Sequence, residues 1–350
     1  MTRPHAAIAG AGLAGRLVAW RLARTGWRGG LFDRAARDDT RAACHVAAAM
    51  LAPLAEAATC DAAVHALGRR AMALWPAWLD DLQADSGRTV FHRREGTLVV
   101  AHAADRPLLQ HFEQLLQRRL PVADFADVHP LDAGGVAALE PALAGRFAEG
   151  LHLATDGQLA NDQLLDALAV AIDRAGGEWH AGCEVQQVAP GRLHTAGATC
   201  HADVAIDTRG VGARAAWPGL RGVRGEVLTV ACPGATLHRP VRLMHPRYQL
   251  YVAPRPGQQW VVGATELDSE DDGPVTVRSL LELGSALYSL HPAFGEARVL
   301  RSVAGLRPAL DDHAPALRCR DGVWELNGLY RHGYLCGPAL VHDLVEGLRR

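Results

Sequence analysis

Ile8-Ala9-Gly10-Ala11-Gly12-Leu13-Ala14-Gly15 sets a G-x-G-x-x-G turn at the head of a 350-residue chain, and its surroundings decide how it is read. A short apolar run, His5-Ala6-Ala7-Ile8-Ala9, precedes the turn. Leu13 to Arg24 follows with apolar residues at helical spacing until Thr25-Gly26 stops it. A second apolar run, Gly30-Leu31-Phe32-Asp33, ends on an acid 18 residues after the last glycine. Strand, helix and strand in that order are the context the glycine pattern requires. In such a unit Gly10 allows the tight turn, Gly12 lets a pyrophosphate approach the backbone, and Gly15 packs helix against strand. The helix N-terminus then faces the phosphates, and Asp33 accepts from an adenosine ribose. The opening segment predicts a dinucleotide-binding β-α-β unit.

Composition bounds the rest. The chain exceeds one ordinary core, so two domains are expected, interleaved in sequence. A hydrophobic fraction of 49% and a charged fraction of 21% are those of a globular protein. A net charge of −2 gives no electrostatic case for nucleic acid or a membrane surface. No apolar run reaches the roughly 18 residues of a membrane span, and the first apolar segment is the nucleotide-binding strand itself, not a signal peptide. Seven scattered cysteines without a C-x-x-C pair point to a reducing cytoplasm and against a structural zinc site. The 17 histidines fall in no metal-ligand spacing.

Further along, Ala-rich residues 41–57 fit either a backbone lying against a flat ligand or a well-packed helix start. Residues 62–83 predict a helix around Trp75 and Trp78. Thr89–His92 and Gly96–Ala101 read as a strand pair, followed by a helix at 105–119 and a strand at 150–153. Asn161 or Asp162 is the expected cap of a helix from Leu164 to Ala175. Strands are expected at 178–188 and 203–207. Tyr248–Ala253 and Gln259–Ala264 predict a hairpin around Pro254-Arg255-Pro256-Gly257. A helix at 278–290 follows, then a strand at 323–326, a glycine loop, and a helix from Pro338 to Leu348. The fold class expected is α/β, with a Rossmann-like cofactor domain (residues 1–75, 145–215 and 301–350) interleaved with an antiparallel-sheet α+β substrate domain (76–144 and 216–300).

Together these pieces resemble the D-amino-acid-oxidase superfamily of FAD enzymes, most closely the glycine oxidase group of thiamine biosynthesis. The likeness runs over nearly the whole chain. Beyond the glycine turn and Asp33, it rests on Ala47-Ala48-Ala49-Met50-Leu51-Ala52-Pro53 with Glu56, on Val185, and on Val223-Arg224-Gly225-Glu226. It continues through Tyr251-Val252-Ala253-Pro254-Arg255, Gly263-Ala264-Thr265, Gly305-Leu306-Arg307-Pro308 and Tyr330-Arg331-His332-Gly333. The resemblance implies non-covalent FAD held by Gly10, Gly12, Leu13, Ala14, Gly15, Asp33, Arg34, Ala43, Cys44, Ala48, Ala49, Met50 and Val185. The loop Leu329, Tyr330, Arg331, His332, Gly333, Tyr334, Leu335 completes that set. This loop opens a helix whose positive end stabilises negative charge on a reduced flavin ring.

It also implies that Arg307 anchors a substrate carboxylate and that Tyr251 contacts the same group, with Arg331 supporting carboxylate or flavin. An arginine fork suits a carboxylate bidentately. The rival readings are an inter-domain salt bridge for Arg307 and core packing for Tyr251. Three residues depart from the group's pattern: Ala49 stands where glycine is usual, Gln249 where a histidine is expected, and Glu266 where an apolar methionine is expected. With Met50 they make up the expected substrate pocket. On this reading Glu266 faces the amine side, disfavours a second acidic group and makes glycine a poor substrate; a place on the acidic surface loop is the alternative. The implied reaction takes a hydride from the α-carbon of a small amine-bearing acid to flavin N5, and the imine hydrolyses. Oxygen or another electron acceptor closes the cycle. Oxidation of a 2-hydroxy acid or an N-substituted amino acid, and a flavoprotein that acts on or binds a protein partner, are the alternatives.

Overall fold

The computed structural model describes residues 3–247 and 250–349. His5–Ala9 is an inner strand of a six-stranded sheet ordered Ala316–Arg320, Val323–Asn327, Val204–Asp207, His5–Ala9, Arg28–Asp33, Glu178–Ala181. All neighbours are parallel except the pair at the Ala316–Arg320 edge. Side chains alternate across a strand. Ala6 and Ile8 therefore join a core with helices Leu13–Arg24, Asn161–Arg174 and Gly333–Gly347. Ala7 and Ala9 face the other way, against Phe32, Val185 and Leu193. Val185 and Leu193 belong to a three-stranded antiparallel sheet, Val185–Ala189, Arg192–Thr195, Thr199–His201, that covers this face. Burial on both faces explains why the opening strand is apolar throughout after His5.

The long helix Ala62–Ser86 packs on the same helical layer. Asp61 caps it, its carboxylate accepting from the Ala63 amide at 2.8 Å. Gly87, at φ 68°, ends it. Its Trp75 donates through Nε1 to the Tyr334 carbonyl at 3.1 Å. That carbonyl lies four residues before Pro338, which has no N–H to offer it. The last helix accordingly begins at Gly333 and not at Pro338 as expected, because a tryptophan replaces the missing backbone donor.

The second layer is an eight-stranded sheet ordered Arg298–Ala309, Arg221–Ala231, Gln259–Gly263, Leu250–Arg255, Val241–Met244, Thr97–Ala101, Glu149–Leu153, Val128–Asp132. Only Val241–Met244 with Thr97–Ala101 is parallel. Helix Val277–Leu290 covers one face through Leu283, Ala286, Leu287 and Leu290. This membership moves the expected domain limits. Glu149–Leu153 and residues 298–309 belong to this sheet, while Ala62–Ser86 stays with the cofactor layer beyond residue 75.

Two local expectations are corrected. Thr89–His92 and Gly96–Ala101 do not pair, because Gly96 at φ 82° sends the chain into a different sheet. His92–Arg93 pairs with Gly157–Leu159, and Thr97–Ala101 with Glu149–Leu153 and Val241–Met244. Neither Asn161 nor Asp162 caps its helix. The N-cap position is Ala160, and buried Asn161 instead donates through Nδ2 to the Cys44 and His45 carbonyls at 3.2 and 3.1 Å.

Candidate active site

One cavity of about 1130 Å³ runs from the glycine turn, between the two layers, to the eight-stranded sheet. At its nucleotide end, Gly10 has φ 98°, and a Cβ there would lie 2.6 Å from the Thr208 carbonyl oxygen. A Cβ on Gly15 would lie 1.9 Å from the Gly10 oxygen, so the helix can approach the turn only without one. Nothing lies within 4 Å of the position a Gly12 side chain would take, which leaves that face open to a phosphate. Gly12 caps the helix without any side-chain acceptor, so its first amides remain available to an anion. Asp33 braces the turn, accepting from the Ala11 amide at 2.7 Å and the Ala35 amide at 2.9 Å. These features fit a dinucleotide's pyrophosphate and ribose.

Leu13, Ala14, Arg34, Ala43, Cys44, Ala48, Ala49, Met50 and Val185 line the cavity, as do Leu329 to Tyr334. Ala49 sits at φ 49° in the left-handed region, the physical reason a glycine is usual there. The small-residue segment is tied down by Asn161 and by Tyr334, whose hydroxyl donates to the Cys44 carbonyl at 2.7 Å. Leu335 is placed differently from expectation. It is 1% exposed in the helical core, against Gly68, because the helix has already turned it away from the cavity.

The other end of the cavity rests on the eight-stranded sheet. Arg307 lays its guanidinium over Gly225, where a Cβ would be 2.2 Å from its Cζ. Both terminal nitrogens donate to the single carbonyl of Thr265, each at 3.1 Å. Arg307 makes no ion pair among the described residues, which removes the salt-bridge alternative for it. Tyr251 places its hydroxyl over Gly263, whose Cβ would be 2.6 Å away. Burial pushes its phenol up, against the opposing pull of Arg307 and Arg242.

Arg331 is held by two carboxylates: its Nε lies 2.8 Å from Glu56 Oε2 and its Nη1 3.3 Å from Glu266 Oε2. Burial raises the Glu56 carboxyl, but Arg331, Arg242 and His332 outweigh it and hold the group at about 2. Glu266 does line the cavity, yet its charge is answered by Arg331 and by the Tyr330 hydroxyl. The expected selection for a cationic substrate thus has no free carboxylate behind it. Gln249 lies outside the described residues.

Sequence reading gave no role to three residues that the fold brings here. Glu56 was one of the marks of the resemblance, without a function. Arg242 stands between apolar neighbours in Val241–Met244, and that alternation was the available signal. Cys60 joins Glu56 and His332, the three ligand-type atoms lying within 4.8 Å of one another. Burial and Glu56 push the Cys60 thiol up to about 11, and burial pushes His332 down to about 4, so both are neutral near pH 7. Arg331 is the nearest cation to the Glu56 carboxylate among the described residues.

A Rossmann-like layer opening onto a cavity lined by arginines is the architecture of a dinucleotide-dependent oxidoreductase. The chain belongs to the FAD dependent oxidoreductase (DAO) family, whose model matches residues 5–346. It is 40% identical to the thiamine biosynthesis oxidoreductase ThiO of Rhizobium etli, over 97% of this chain and 95% of that protein. It is 27% identical to the glycine oxidase of Geobacillus kaustophilus, over 98% and 93% of the two chains. The crystal structure of a Geobacillus kaustophilus glycine oxidase superposes with a TM-score of 0.83, covering 99% of this chain and 95% of that one. FAD is the cofactor. No described helix is long and apolar enough to cross a membrane.

Proposed function

We propose that the protein oxidises the C–N bond of a small amine-bearing carboxylate to an imine that water hydrolyses. One observation carries this reading. Arg307 faces the cavity with one hydrogen of each terminal nitrogen given to the Thr265 carbonyl and the other left to donate, beside the Tyr251 hydroxyl and within the same cavity as the flavin-site segments. FAD, when bound, accepts the hydride from the substrate α-carbon. The chain's own residues supply position: Arg307 binds the carboxylate in a forked pair and Tyr251 fixes its rotation. The C–H bond gives up its hydrogen as a hydride, so no side-chain base is required at the α-carbon. The name of one relative, the glycine oxidase, supports an amino acid as substrate. Oxygen or another acceptor would close the cycle, and the seven unpaired cysteines suit a reducing compartment such as the cytoplasm.

Anaerobic titration with glycine, sarcosine, D-alanine and D-lysine tests this: at least one should bleach the flavin within the mixing experiment. No bleaching by any amino acid, with FAD bound, would sink the reading. Arg307→Ala should weaken small carboxylate ligands by about 2–3 kcal/mol while FAD stays bound. Unchanged titrations would move the anchor elsewhere.

A further inference from the structure

Arg307 accounts for one anionic group, and the same cavity holds a second arginine that the fold does not use up. Arg242 is the direct cross-strand partner of Tyr251, so both side chains leave the sheet on one face. Its side chain is only 15% exposed and it lines the cavity. Its guanidinium makes no hydrogen bond among the described residues. The nearest carboxylate oxygen, Glu56 Oε1, is 3.7 Å away, and Glu56 is already answered by Arg331 at 2.8 Å. Other secluded arginines in this chain behave differently. Arg224 spends its fork on Glu226 and on the carbonyls of Asp271, Gly273 and Pro274. Arg255 donates to Gln158 and to the Ala48 carbonyl. A mostly enclosed guanidinium with five donors, hydrogen-bonded to none of the described residues, presents its fork to the cavity for a ligand to fill.

Charge points the same way. Tyr251 feels three cations, Arg307, Arg242 and Arg255, against the single anion Glu56. A zwitterionic substrate leaves that excess in place, whereas one with a further negative charge reduces it. Tyr251 stands between the two arginines in the sheet. Gly225, beneath the Arg307 guanidinium, is three strands from Arg242, about 14 Å at the backbone. That span leaves room for two anionic groups, one at each fork.

We propose that Arg242 binds a second carboxylate, and that the preferred substrates are amino acids whose nitrogen or side-chain substituent ends in one. The α-carboxylate takes Arg307 and the distal carboxylate takes Arg242. This rests on the amino-acid reading above, and it reverses the selectivity that the sequence alone suggested from Glu266.

Succinate and butyrate share a four-carbon chain and differ by a carboxylate for a methyl. Neither has an amine to oxidise, so their binding, followed by perturbation of the visible spectrum of the FAD-loaded enzyme, is independent of turnover. Succinate should bind about tenfold or more tighter than butyrate, and Arg242→Gln should bring the ratio close to one. Arg242→Lys, which keeps the charge without the fork, should retain part of the preference. Flavin content and melting temperature are measured for each variant, and the ratio in the unaltered enzyme stands even if a variant does not fold. Equal binding of the two ligands overturns the proposal. A ratio that Arg242→Gln leaves unchanged also overturns it and reduces Arg242 to a positioning residue for Glu56. If no amino acid bleaches the flavin yet Arg242 still separates succinate from butyrate, the amino-acid reading fails and the anion site stands.

Discussion

Two glycines set the reach of the two side chains proposed to meet the substrate. Gly225 lets the Arg307 guanidinium lie on the backbone, and Gly263 makes room for the Tyr251 hydroxyl. Both sit inside motifs that the sequence displayed, Arg-Gly-Glu and Gly-Ala-Thr, but a glycine in a strand announces only that something approaches closely. Which side chain approaches depends on the neighbouring strands, so this part of the site was not legible. Gly225→Ala should push Arg307 out of line. Ligand titration should then show small carboxylates bound about tenfold to a hundredfold more weakly, with FAD content unchanged. Full affinity in this variant would mean that the arginine reaches its ligand from another rotamer.

Among elements, the short helix Pro53–Ala57 carries Glu56 into the cavity, and its start is fixed by Asp156. This carboxylate accepts from the Leu54 amide at 3.0 Å and the Ala55 amide at 3.4 Å while fully buried. Burial pushes its carboxyl up to about 7, more than those bonds and Arg242 pull it down. Its folded-state pKa is therefore above the ordinary value of 3.8, so its stabilising contribution is complete below that value and is lost as pH rises through 7. Asp156→Asn keeps an acceptor oxygen without the charge. The melting temperature of the variant relative to the parent should rise between pH 5 and pH 8, by an amount worth on the order of a few kcal/mol. A difference that stays flat over that range would assign the titration to another group. Helices such as Arg106–Arg119 and Val277–Leu290 were readable because their apolar residues recur at helical spacing. The partner of Thr97–Ala101 was not, since sheet pairing over long separations leaves no local mark.

At the scale of the molecule, the cofactor end was legible and the substrate end largely was not. The glycine turn, helix and Asp33 are consecutive in sequence, whereas Glu56, Arg242 and Arg331 meet only because two sheets face each other across the cavity. FAD bound between those layers should be released entirely by acid precipitation, leaving a colourless pellet. Colour retained in the pellet would reveal a covalent link, with Cys60 the first residue to inspect. FAD removal should also lower the melting temperature, because a ligand held only by the folded state adds its binding free energy to stability. The order of strands in the cofactor sheet has a consequence during synthesis. His5–Ala9 emerges from the ribosome before the other strands of this sheet, yet its neighbour Val204–Asp207 comes some two hundred residues later, and Val323–Asn327 later still. An apolar first strand must wait, unpaired on that side, until more than half of these 350 residues are translated. Slow elongation or truncation before residue 204 should therefore yield aggregates that a chaperone must hold, and not a soluble half-protein.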